Sequence, residues 1–166
     1  MYRKNKLLKN HNHKTMKKYT LILFALALLA FVKPASAQTD PAAFTGATAK
    51  LDHYDALYVI NSNDDKKIKG TLRNIANALD DPRLKGKLHV ELICFGDGVA
   101  VYMKSGVFEQ PLKDLQEKGV ILAQCSNTVR ERKIDKNDLF PFISYVPSGN
   151  GEIILRHYDG WAVVHP

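Results

Sequence analysis

Hydrophobic residues along this chain fall into solid blocks, and the segments between the blocks carry apolar positions every third or fourth residue. The blocks are "ALYVIN" (56–61), "LHVELICF" (88–95), "VILAQC" (120–125), "FISYV" (142–146) and "WAVVH" (161–165). Short runs of this kind, with Val and Ile and little alternation, predict strands buried on both faces. Asn63-Asp64-Asp65 can cap a helix in which Ile68, Leu72, Ile75, Ala76 and Leu79 share one side, and Asp80-Asp81-Pro82 stops it. A short apolar helix is expected through Met103, and "PLKDLQEKG" (111–119) predicts another with Leu112 and Leu115 inward and Gly119 at its end. Helical turns are expected over Thr128 to Arg132 and Asp135 to Leu139, and a last helix over "GNGEIILRHYDG" (149–160).

Strands that alternate with helices and are apolar throughout predict an α/β fold, a flavodoxin-like three-layer sandwich around a mainly parallel five-stranded sheet. Ligands in such sheets bind beyond the carboxyl ends of the strands. The loops expected there are Asn61 to Asp65, Gly96 to Val99 and Cys125 to Arg132.

One apolar run breaks the pattern. Residues 16–37 read "MKKYTLILFALALLAFVKPASA": Lys17 and Lys18, an apolar stretch from Leu21 to Val32, Pro34, then Ala35-Ser36-Ala37. That is the build of a secretory signal peptide, and the stretch is well short of the roughly 20 residues that span a bilayer. Cleavage is expected after Ala37 and localisation in the periplasm or outside the cell, with Met16 a better start than Met1. The charge balance changes accordingly. The whole chain of 166 residues has a formal charge of +7, but eight of its 24 Lys and Arg and none of its 17 acids lie in residues 1–37. The rest carries one more acid than base, which leaves no electrostatic case for a nucleic-acid partner. Residues 38–53 read as a flexible leader, and residues 54–166 as one domain.

Two cysteines remain in that domain. Cys125 ends the third strand, where a following helix start stabilises a thiolate, and Arg130, Arg132, Ser126 and Thr128 stand close in sequence. A small packed core residue is the competing reading. Cys94 sits between Ile93 and Phe95, which favours plain packing. If the second and third strands flank the first, the two thiols end roughly 9.5 Å apart, too far for a disulfide. The Gly96-Asp97-Gly98-Val99 turn lacks the spacing of a phosphate loop and reads as structural. His53, His89, His157 and His165 show no ligand spacing, so no metal and no cofactor are expected. Nothing resembles the signatures of a hydrolase.

The segment "AQCSNTVRERKIDKNDLFPFISYVPSGNGEIILRHYDGWAVVHP", the "FGDGVAVYM" turn and the asparagine-bearing loop after the first strand resemble the DsrE/DsrF-like family, small sulfur-relay-type domains. The likeness covers about Tyr54 to Pro166 and is strongest to an uncharacterised branch ending in "VPSG…E…GW", here Val146 to Gly149, Glu152 and Gly160-Trp161. The resemblance implies that Cys125 carries sulfur as a persulfide for a partner protein and that the chain forms a homo-oligomer. Asn127, Thr128, Arg130, Arg132 and Asn61 would then bind the thiolate and its anionic substrate. The alternative is a non-catalytic module of the same fold that holds a small anion or a protein.

Overall fold

The computed structural model describes residues 41–166. The expected signal peptide, its expected cleavage site and the first residues of the expected leader lie outside them. Residues 41–46 belong to one unit and carry a single three-residue turn, Pro41–Ala43; the second, larger unit is Ala47–Pro166.

In the second unit five strands form one sheet: β1 (Tyr54–Ile60), β2 (Leu88–Cys94), β3 (Ile121–Cys125), β4 (Ser144–Val146) and β5 (Ala162–Val164). All four pairings are parallel, in the order β4-β3-β2-β1-β5. The helices are α1 (Asp65–Asp80), α2 (Glu109–Glu117), α3 (Ser126–Glu131) and α4 (Gly149–Tyr158), with a 3-10 segment at Gly96–Tyr102. Asp64 caps α1 by accepting from the Lys67 amide at 2.8 Å, as its position before the apolar period foretells.

β1 to β4 step across the sheet in one direction, so right-handed crossovers put their connecting helices on one face. That face holds the larger core, where Ile68, Leu72 and Ile75 of α1 and Leu112 and Leu115 of α2 meet Tyr58, Val90, Leu92 and Cys94. The chain then returns from β4 to the far side of β1, and the same rule sends α4 to the other face. There Ile153 and Trp161 pack on a smaller core of Leu57, Val59, Ile93 and Ala123. The three layers agree with the expected fold class.

One expectation about neighbours fails. β2 and β3 do not flank β1; they pair directly, with Cys94 opposite Gln124. The cysteines are therefore on adjacent strands, one register step apart. Successive side chains of a strand point to opposite faces, so Cys94 lies in the larger core and Cys125 faces away from it. Both are free thiols, and the face of the sheet, not a two-strand distance, is what separates them.

Candidate functional site

Cys125 ends β3 and also stands at the N-cap position of α3, with φ −66° and ψ 117°. Ala123, two residues earlier, belongs to the smaller core, so the sulfur lies on the α4 side. The two neighbouring strands now send their helices apart. α3 packs on the first face through Val129, whereas α4 leaves β4 across the second. Cys125 thus occupies the point where crossover direction reverses, the crevice in which open α/β sheets hold ligands.

Four donor groups surround the sulfur there and draw its thiol down, although Cys125 closes no side-chain cap hydrogen bond. Backbone N–H groups of Thr128 and Asn127 come from the start of α3, the N–H of Gly149 comes from the start of α4, and the Thr128 hydroxyl adds a side-chain donor. The Gly96 N–H donates to Thr128 Oγ1 at 3.0 Å, which occupies that oxygen's lone pair and leaves its hydrogen for the sulfur. Burial pushes the thiol up, for the residue is only 5% exposed, but the four donors more than offset it and the thiol is held below its ordinary value.

Gly149 earns its place by lacking a side chain. A Cβ there would lie 2.9 Å from Phe95 Cδ1 and 3.0 Å from its Cβ, at the end of β2. Only glycine lets the helix start come this close to the strand ends. Ser148 Oγ accepts from the Gly151 N–H at 3.3 Å and caps the same turn.

Cys94, fully buried, has the opposite chemistry. Burial drives its thiol up to about 12, against a small contrary pull from the Tyr102 hydroxyl. It is a core residue, as its apolar flanks predict.

Residues 54–166 match the DsrE/DsrF-like family. The chain belongs to this family. Among solved structures it is similar to a protein of unknown function, MTH1491 from Methanobacterium thermoautotrophicum, at 28% identity and a TM-score of 0.64, covering 68% of this chain and 99% of that one. BT1422 from Bacteroides thetaiotaomicron, also of unknown function, shares the fold at 11% identity and a TM-score of 0.55, over 73% of this chain and all of that one. The ychN protein from E. coli shares it at 15% identity and a TM-score of 0.50, over 70% of this chain and all of that one. Among curated proteins, none is similar enough in sequence to count as a relative.

Of the residues singled out in the DsrE-like sequence, Asn127 and Thr128 meet Cys125, and the others are placed elsewhere. Arg132 Nη2 pairs with Asp97 Oδ1 at 2.7 Å, and Arg130 Nη2 lies 3.8 Å from Glu131 Oε1. The reason is helical rise: at 1.5 Å per residue, position 130 is carried about 7 Å along the axis from the cap. Arg130 lines a shallow basin of about 540 Å³ with Ser126, Val129, Lys133, Ile134 and Lys136. Asn61 Oδ1 lies 3.3 Å from His165 Nε2 beyond β1 and accepts from it when that nitrogen carries the hydrogen. β2 stands between it and Cys125, a separation of roughly two strand spacings, about 9.5 Å. The Gly96–Gly98 turn is structural, for a Cβ on Gly98 would overlap the Ile60 carbonyl oxygen.

Two features escape the sequence reading. Gly149 is the first, although "VPSG" carries the cap-then-glycine signal of a helix start. The second is Glu91, an acid inside an apolar strand, 1% exposed. A charged letter in such a run is the signal, because buried acids need partners.

Proposed function

We propose that Cys125 is the nucleophile of an exported sulfur-transfer protein. DsrE-family membership suggests a sulfur-relay-type role in general. What supports the finer reading is the convergence of four hydrogen-bond donors on one sulfur at the crossover reversal. Donors aimed at a sulfur anion stabilise the thiolate, which is the attacking form. The thiolate attacks the outer sulfur of a donor persulfide, the donor's S–S bond breaks, and its electron pair leaves as the donor thiolate. Cys125 then holds the persulfide, with no net change in oxidation state. Passing the sulfur to an acceptor thiolate repeats the step in reverse. Export rests on residues 1–37 alone. Among the described residues no helix is long and apolar enough to cross a membrane.

The test is mass spectrometry after incubation with a persulfide donor. A gain of about 32 Da is expected on the peptide holding Cys125, lost in Cys125→Ser and kept in Cys94→Ser. No gain at any pH disposes of the proposal.

A second reading has one observation in its favour. Cys125 is 5% exposed, as a packed residue of an anion-holding or assembly module would be. The pH profile of alkylation separates the two: a half-point below the ordinary cysteine value supports the nucleophile, and one at or above it supports the module.

Self-association belongs to the same proposal. Ile154, Leu155 and Tyr158 stand on the outward side of α4 at 56%, 64% and 85% exposure, an apolar stripe at helical spacing. Leu155→Asp should lower the mass seen by sedimentation to that of one chain; an unchanged mass rejects α4 as the contact.

A further inference from the structure

Glu91 stands in the middle of β2 with Leu57 and Ile121 as register partners, on the face that α4 covers. Its Oε2 receives Arg156 Nη2 at 2.7 Å and Arg156 Nε at 2.9 Å. Nε also lies 2.9 Å from Glu152 Oε1, one turn back along α4, and the guanidinium sits 4.1 Å above the Trp161 ring. The Trp161 amide in turn donates to the Arg156 carbonyl at 3.0 Å. Glu91 Oε1 has no partner among the described residues although it is buried. Two carboxylates therefore share one arginine, and burial with the nearby Glu152 outweighs Arg156, so Glu91 is held above the usual carboxylate range.

Such a pair is a poor source of stability, since taking both charges out of water offsets most of their attraction. Its geometry serves another end. Arg156 lies seven residues after Gly149, about 10 Å down the helix axis. Glu91 lies level with Ile121, four residues and about 13 Å before Cys125 along the sheet. α4 is thus fastened at two heights, at its start by the close approach of Gly149 to Phe95, beside Cys125, and two turns later by Glu91. A rigid helix pinned at the lower point cannot slide or tilt at the upper one.

We infer that the Glu91–Arg156 pair is a positioning device for the Cys125 sulfur, setting the height of α4 so that the Gly149 N–H reaches it. This rests on the reading of Cys125 as a nucleophilic thiol. Glu91 and Arg156 touch no reacting atom; they act through the helix. Glu152 and Trp161 hold the guanidinium in the plane from which it reaches β2.

The test reads peptide-resolved alkylation of Cys125 by iodoacetamide across pH, beside thermal unfolding, in the full chain. Glu91→Gln with Arg156→Met removes the buried pair together and leaves only Glu152, which is partly open to solvent, without its arginine. Its half-point is expected to rise by about half to one pH unit as the Gly149 donor is displaced. Arg156→Lys keeps the charge without the two-nitrogen grip and is expected to fall between the two. A shift in melting with no shift in half-point means that the pair is only structural, and overturns the inference. Should the double variant fail to fold, Arg156→Lys decides alone: a half-point equal to wild type overturns it. A wild-type half-point at or above the ordinary value is a different failure, that of the nucleophile reading itself.

Discussion

Cys94 and Cys125 end neighbouring strands one register step apart, yet one thiol is pushed up to about 12 and the other is held below its ordinary value. Both are buried, but Cys94 is the deeper of the two, and burial raises its thiol further. The supply of donors differs as well. Cys94 points into a core of aliphatic and aromatic side chains, where only Tyr102 offers a polar contact and its hydroxyl already donates to the Leu92 carbonyl at 2.9 Å. Cys125 points the other way, into the gap between two helix starts. A half-turn of the side chain between faces of one sheet thus separates a thiol that is pushed up from one that is held down.

The widest break in this comparison is kinetic. With a thiol near 12, only about one Cys94 in 10⁵ is ionised at pH 7. Alkylation of the native protein should therefore favour Cys125 by at least about a thousandfold, measured peptide by peptide. Equal labelling ends the distinction.

The next contrast is thermodynamic, and its sign differs between the two. The folded state disfavours ionising Cys94, so that thiol's contribution is fully present below 9.0 and is lost as pH rises toward about 12, by about 1 kcal/mol per pH unit. Cys125 is held below its ordinary value, so its contribution grows as pH rises toward 9.0. Denaturant melts from pH 7 to 11 should show a flatter alkaline fall in Cys94→Ala and a lost gain in Cys125→Ala. Parallel curves for both variants would refute the assignment.

Thr128→Val sharpens the comparison from one side only. It removes a donor to the sulfur and the acceptor of the Gly96 N–H while keeping the shape. The Cys125 half-point should rise by about one unit and stability fall by about 1–2 kcal/mol, with Cys94 untouched. Smallest of all is Lys113→Gln, which breaks the exposed pair with Glu109 at 2.6 Å. It should change stability by at most about 0.5 kcal/mol and neither thiol profile, as calorimetry and alkylation would show.

The strands were legible because a parallel sheet covered on both faces writes itself as apolar blocks, and each of the five falls within about two residues of its expected limits. Strand neighbours were not, because each crossover can step either way and local periodicity is blind to that choice. The same blindness explains the arginines. Arg130 and Arg132 are close to Cys125 in sequence, but a helix starting at the cysteine carries them away, and Asp97 takes Arg132. Gly149, 24 residues beyond the cysteine, is brought to the sulfur by the return of the chain from β4. Asn127 and Thr128 were readable because a residue at the N-cap position stands beside the first amides of its own helix.

The parallel order has a consequence in time. β5 pairs with β1 across more than 100 residues, and the crossover between β4 and β5 is the last to form as the chain is made. That crossover carries Gly149. Until it docks, the sulfur has only the amides of a two-turn helix and the threonine hydroxyl, and its thiol is the more inert for it. The chain therefore completes the donor set around this thiol last, and an unfinished or still unfolded copy holds it nearer its ordinary value.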